Sequence, residues 1–272
     1  MNLALLPRRN LGAHGPSLPR LGLGGHTFLK RFGGRGRAEM ETLLKLLAQA
    51  RGLGLNHVDV TYDEERELLG RLLKDLGPRE SWVLSSWAQA KQTPDGAAVE
   101  REAERALKQM GLERLDLLYL EVDLRDDHAR ALERLKAAGK IGGAGLLGAE
   151  RALAAGPERI DFAVAVFNYF RADAAGTLAA LKARGLGTLG AEPLGRGRFL
   201  AEDPARAPAR VAALLRYALS QPFLDAVLVT MRTPEELGAN AAVACEARPF
   251  GDEDRLALEG CRGYEIPFEP WN

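Results

Sequence analysis

The run Leu115-Asp116-Leu117-Leu118-Tyr119-Leu120, a polar interval in which a helix can begin near Asp126, and the run Ile141-Gly142-Gly143-Ala144-Gly145-Leu146 together decide the fold. Each apolar run is strand-length, and a helix between two strands carries the chain back to the starting edge of the sheet, so the pair must be parallel. Upstream, Val99, Ala103, Ala106, Leu107 and Met110 recur at three- and four-residue steps, the spacing of one helix face. The same change of period recurs along the chain. Further short runs lie at Leu21–Gly24, His57–Val60, Trp82–Ser85, Phe162–Val166, Thr188–Ala191 and Ala226–Thr230, and Met40, Leu43, Leu44 and Leu47 form another helix face.

Eight strand-helix units close naturally into a (β/α)8 TIM barrel, and 272 residues suit one such barrel. A doubly wound open sheet is the alternative, but its glycine-rich phosphate turn is poorly matched by Gly22-Leu23-Gly24-Gly25-His26 and the following Gly33-Gly34-Arg35-Gly36. Turn residues at Gly12 and Gly15-Pro16 predict an N-terminal β-hairpin that plugs the barrel floor. No linker or low-complexity tract divides the chain, so residues 1–272 read as a single α/β domain.

Composition narrows the function. Thirty-seven basic residues balance thirty-seven acidic ones, which gives no field for nucleic acid or an anionic membrane. Two cysteines, Cys245 and Cys261, make no disulfide framework. The apolar start ends at Pro7, too early for a signal peptide, and no run approaches a membrane span, so a cytoplasmic location is expected. No metal-ligand spacing stands out. A small-molecule ligand and a monomer or small homo-oligomer remain.

In this barrel the chemistry sits at the C-terminal ends of the strands. Period-two alternation puts His57 and Asp59 on one face of the second barrel strand, with Tyr62 just beyond. An inward Asp beside a Tyr is a proton-transfer pair; a helix-capping Asp with a packing Tyr fits the same residues. The third strand ends at Ser85-Ser86-Trp87 and the fourth at Tyr119-Leu120-Glu121, the Glu being either a site residue or a solvated one. After the eighth, Arg232 precedes Thr233-Pro234-Glu235-Glu236, a capping-box pattern with Pro at the first helical position. That makes an anion site suited to phosphate, unless Glu236 already satisfies the terminus.

These residues resemble the aldo-keto reductases over nearly the whole chain. The likeness is carried in order by Leu21-Gly22-Leu23-Gly24, Gly54-Leu55-Asn56-His57-Val58-Asp59, Glu67-Leu68-Leu69-Gly70, Leu115–Leu120, Gly139-Lys140-Ile141, Pro193-Leu194-Gly195-Arg196-Gly197 and Arg232–Leu237 with Asn240. The resemblance implies a barrel that binds NADP(H) and an Asp-Tyr-Lys-His tetrad in which Tyr protonates a carbonyl while the cofactor delivers hydride. Asp59 falls on the Asp and Tyr62 on the Tyr, whereas Trp87 stands where the Lys is expected and Glu121 where the His is expected. The resemblance assigns Gly24, Leu194, Gly195, Gly197, Arg232, Thr233, Glu236 and Asn240 to the cofactor. Leu147-Gly148 and Val164 replace the polar groups that usually hold the nicotinamide carboxamide.

Three functions follow. The first is an NADP(H)-dependent oxidoreductase with a changed acid, drawn from Tyr62, Glu121 or His26. The second is a non-catalytic descendant that binds a ligand or cofactor. The third is a lyase or isomerase using Asp59 and Glu121 around Tyr62.

Overall fold

The computed structural model describes residues 5–28, 40–197, 203–246 and 248–261. The Gly33–Gly36 stretch lies outside them. A hairpin of β1 (Arg8–Asn10) and β2 (Ser17–Pro19) precedes eight parallel strands. These are β3 (Leu21–Gly24), β4 (His57–Val60), β5 (Val83–Ala88), β6 (Leu115–Leu120), β7 (Ile141–Leu147), β8 (Phe162–Val166), β9 (Gly187–Ala191) and β10 (Ala226–Val229). They pair in sequence order, and β10 closes the barrel by pairing with both β9 and β3.

The helices around it are α1 (Met40–Gly52), α2 (Asp63–Leu73), α3 (Gly96–Met110), α4 (Asp126–Ala137), α5 (Ala149–Ala155), α6 (Ala175–Ala183), α7 (Ala207–Leu219), α8 (Pro234–Cys245) and α9 (Asp252–Ala257). Alternation divides the core in two. Outward residues such as Val58, Val60, Leu84, Leu118 and Leu120 pack with the helices, while Trp87, Leu117, Tyr119, Phe162, Val164, Leu189 and Leu228 form a separate inner cluster. Leu11 and Leu18 of the hairpin join that inner cluster. A Cβ on Gly187, the first residue of β9, would lie 2.4 Å from the Leu11 side chain, so the hairpin is pressed against the N-terminal ends of the strands. The floor is closed, as the turn pattern predicts, and Asp225 latches it by accepting from the backbone N–H groups of Gly12 and Thr188.

One strand differs from its sequence reading. The third barrel strand runs not over Trp82–Ser85 but over Val83–Ala88, so Trp87 lies within it. Ser85 and Ser86 read as a polar strand end, yet both are buried and paired: Ser85 donates to Asp59, and Ser86 accepts from Arg66. A paired buried hydroxyl is as compatible with a strand interior as an apolar side chain.

Candidate active site

Asp59 sits on β4 at the level of Gly24 and Ser85 on the flanking strands, with its carboxyl turned inward. One carboxylate oxygen accepts from the Ser85 hydroxyl at 2.6 Å and the other from the Tyr119 hydroxyl at 2.9 Å. His57 Nε2 lies 3.0 Å from the same Ser85 oxygen. The serine hydroxyl donates to Asp59, so His57 donates from Nε2, and burial holds the imidazole neutral with a pKa lowered to about 4.

Burial pushes the Asp59 carboxyl up to about 7. The hydroxyls of Ser85 and Tyr119 oppose that rise, Glu65 adds to it, and His26 opposes it weakly. Tyr119 is raised well above its ordinary value, first by burial and then by the adjacent Asp59. A cation stands behind this pair. Arg66 of α2 is fully buried, donating to Ser86 Oγ, to Glu102 at 2.5 Å and to the Trp87 backbone carbonyl, and its charge partly offsets the rise of Tyr119.

Tyr62 caps the start of α2, half-buried. Its backbone N–H donates to Glu65 Oε2 at 3.0 Å, and its ring stacks on His26 with centroids 5.8 Å apart. His26 Nδ1 is 2.9 Å from Glu65 Oε1, so Tyr62, His26 and Glu65 form one group beside the Asp59 network. The hydroxyl bonded to Asp59 is that of Tyr119.

Trp87 opposes Tyr119 in register, and their rings are nearly parallel at 6.5 Å. Glu121 lies just past β6, nine-tenths buried. Burial raises its carboxyl, opposed by the charge of Arg151 and a hydrogen bond from the Ala90 backbone N–H. Leu147 and Val164 contribute apolar surface to the same inner cluster.

The opposite side of the mouth is built differently. Thr233 caps α8 by accepting from the Glu236 N–H at 3.2 Å. The Glu236 carboxylate bonds the Arg232 N–H at 2.7 Å, one residue earlier than a regular capping box requires. Glu235 is held below its usual range by its own backbone N–H and the Thr233 hydroxyl. This helix end draws negative charge, as its dipole dictates, and two carboxylates already stand there. Asn240 is buried one turn further along. Gly24 fits against Thr230, whose backbone N would be 3.4 Å from a Cβ at that glycine.

After β9 the backbone is strained. Gly195, Arg196 and Gly197 all have positive φ, at 53°, 64° and 68°, and Glu192 has 54°. For Arg196 and Glu192 this conformation costs about 1 kcal/mol each, offset by their ion pair at 3.1 Å. Asn168 donates from its side-chain amide to the Glu192 carbonyl and fixes the turn beside Leu194.

Sequence reading passed over Ser85 and Tyr119. The signal was present: both lie on strands neighbouring Asp59's side of the barrel with inward parity, but a run read as apolar hides an inward hydroxyl.

The family model "Aldo/keto reductase family" matches residues 20–210. Two structures provisionally assigned as aldo-keto reductases from Pseudomonas aeruginosa are each 28% identical, with TM-scores of 0.75 and 0.73, covering 90% and 89% of this chain and 97% and 96% of theirs. The holo form of aldo-keto reductase AKR11C1 from Bacillus halodurans shares the fold at 18% identity and TM-score 0.73, covering 96% of this chain and 98% of its own. No curated protein matches the sequence.

Proposed function

Because the chain belongs to the aldo/keto reductase family, we propose that it is an NADP(H)-dependent oxidoreductase that reduces a carbonyl or an activated carbon–carbon double bond with an altered proton-donating site. The observation that carries this reading is Asp59, a buried inward carboxyl whose two oxygens are both taken by hydroxyls.

The residues present fit the phosphate end of the cofactor. Arg232 would supply the charge and the start of α8 its dipole, with buried Asn240 one turn along, and the glycines Gly195 and Gly197 beside Leu194 take left-handed conformations that leave backbone free of side chain at those two positions. The bound nicotinamide supplies hydride. This chain's own residues manage the proton. Asp59 is protonated below about pH 7, which keeps a transferable proton inside the barrel at neutrality. Tyr119 is its hydrogen-bond partner, and Tyr62, stacked on His26, is the second phenol beside the site. Glu121, whose carboxyl burial raises, stands beside them at the end of β6.

The test is a thermal shift and nicotinamide fluorescence on adding NADPH, followed by turnover against a panel of carbonyls and enones. Failure to bind at millimolar NADPH rejects the reading. A second reading, a non-catalytic descendant that binds a cofactor or ligand, is favoured by Trp87, an indole in the inner cluster where the family resemblance leads one to expect a lysine. NADPH binding with no turnover supports it, and turnover by the unmodified protein rejects it.

A further inference from the structure

Near the C-terminal end of β5 stand two side-chain hydrogen-bond donors with no acceptor among the described residues. Trp87 Nε1 and Gln89 Nε2 are both buried and bond to nothing among the described residues. Their residues are each only 6% exposed. Ser85, Trp87 and Gln89 have the same parity on an extended backbone, since Gln89 itself keeps φ −69° and ψ 152° just past the strand end. Ser85 bonds Asp59, Trp87 packs inside the barrel in one cluster with Tyr119 and Leu147, and Gln89 follows just past the strand end, so the two residues succeed the Asp59 network along the chain toward the C-terminal end of β5.

An unmade hydrogen bond at a buried N–H carries the full cost of its desolvation, and two such groups in one row call for an acceptor from outside the chain. Backbone register places Glu121 beside Gln89: Ala88 pairs with Leu120, and the Glu121 N–H donates to the Ala88 carbonyl. That carboxyl would repel an anion. The cation that acts on it, Arg151, is already paired with Asp123 at 3.2 Å and bonds the Leu147 carbonyl. Both free donors are uncharged, which matches an uncharged acceptor.

We infer that Trp87 Nε1–H and Gln89 Nε2–H are positioning residues that recognise a neutral carbonyl oxygen of the substrate, of a ketone, enone or amide, at the end of β5. This deepens the reductase reading by naming how its substrate class is held, and it takes the place of charge with two neutral donors where Trp87 stands for a lysine. Trp82 is the internal contrast. Its Nε1 also lacks a partner, but its side chain lies at the other end of the strand among the helix-facing residues.

The experiment uses the full chain labelled with 15N and no nicotinamide. The chain has three tryptophans, so the indole N–H region holds few signals, and the Trp87 signal is the one lost in Trp87→Phe. Cyclohex-2-enone is titrated in, with cyclohexene and cyclohexanecarboxylate as controls. The inference expects a saturable shift of the Trp87 indole signal with the enone, none with cyclohexene, weaker binding of the carboxylate and a still Trp82 signal. Gln89→Leu is expected to weaken enone binding about five-fold, the effect of one neutral hydrogen bond. No Trp87 shift, the same shift with cyclohexene, or tighter binding of the carboxylate overturns it. Should Trp87→Phe fail to fold, the signal is assigned by its contacts to the Tyr119 ring in the unmodified protein. The outcomes separate from those of the reductase reading: a shift without turnover leaves this inference standing, and turnover with a still indole defeats it alone.

Discussion

Asp59 and Glu235 are both carboxylates at the mouth of one barrel, yet their surroundings drive them in opposite directions. Asp59 is buried among hydroxyls and a neutral imidazole, and its carboxyl rises to about 7. Glu235 is exposed at the start of α8, where its own backbone N–H and the Thr233 hydroxyl hold it below its usual range. The difference comes from what each strand end feeds into. β4 delivers its carboxyl into a low-dielectric interior, whereas β10 leads into a helix start whose first amides draw carboxylate and hydroxyl oxygens. One side of the mouth buries a carboxyl with a raised pKa and the other draws negative charge to a helix start, the two demands of the proposed reductase.

Asp59→Asn breaks the comparison hardest. It removes the titrating proton while keeping the shape, and turnover is expected to fall at least about 100-fold. Stability is expected to move the other way. The folded carboxyl has its pKa raised above the unfolded value of 3.8, so the native state binds the proton more tightly and ionised Asp59 costs stability as pH rises from about 4 to about 7. Relieving that cost stabilises the variant by up to about 4 kcal/mol at pH 8, the full width of the shift, and by less than half as much at pH 5. Thermal melts of both proteins at the two pH values test it; a gain that does not grow with pH removes the raised carboxyl from the account.

Arg232→Ala attacks the other side. Losing a charged donor beside a phosphate is expected to raise the dissociation constant for NADPH about 10- to 100-fold, with turnover at saturating cofactor little changed. Fluorescence titration and steady-state kinetics separate the two effects. A drop in turnover with unchanged affinity would place Arg232 in the proton-handling half.

Tyr119→Phe is subtler. The Tyr119 hydroxyl stabilises ionised Asp59, so its removal pushes the Asp59 carboxyl further up. The pH above which reduction falls off is expected to move upward from about 7, at a stability cost of about 1 kcal/mol for the lost hydrogen bond. An unmoved profile would make Tyr62, not the Asp59–Tyr119 couple, the group that sets it.

The barrel, its order and its floor-plugging hairpin were legible because hydrophobic period and turn residues are local signals. Asp59 was legible too, since parity on a four-residue strand points it inward. Its partners were harder to read. Ser85 sits beside Ser86 in a run that looks like a strand end, and Tyr119 sits in Leu115–Leu120, where four leucines mask one hydroxyl. What makes both polar groups part of the interior is the cross-strand register, and register is set by closure of the whole barrel. Glu236 shows the same limit at smaller scale: Thr-x-x-Glu predicts the cap, but the carboxylate reaches the Arg232 amide.

That detail sets the smallest effect. Two carboxylates crowd the first turn of α8, and a phosphate arriving beside Arg232 meets the charge of both. Glu236 bonds a backbone amide that shapes the turn, so removing it disturbs the site itself. Glu235 is the cleaner probe, exposed and bonded only to its own amide and the Thr233 hydroxyl. Glu235→Gln keeps an acceptor for the cap and removes one negative charge, so affinity for NADPH is expected to rise about two-fold at low ionic strength. The gain should fade as salt is added, because the removed repulsion acts through solvent. Titrations at low and high salt decide it: an unchanged or weakened affinity at low salt would mean that the phosphate does not sit on this helix terminus, and the anion-holding half would have to be sought around Arg196 and the left-handed turn after β9.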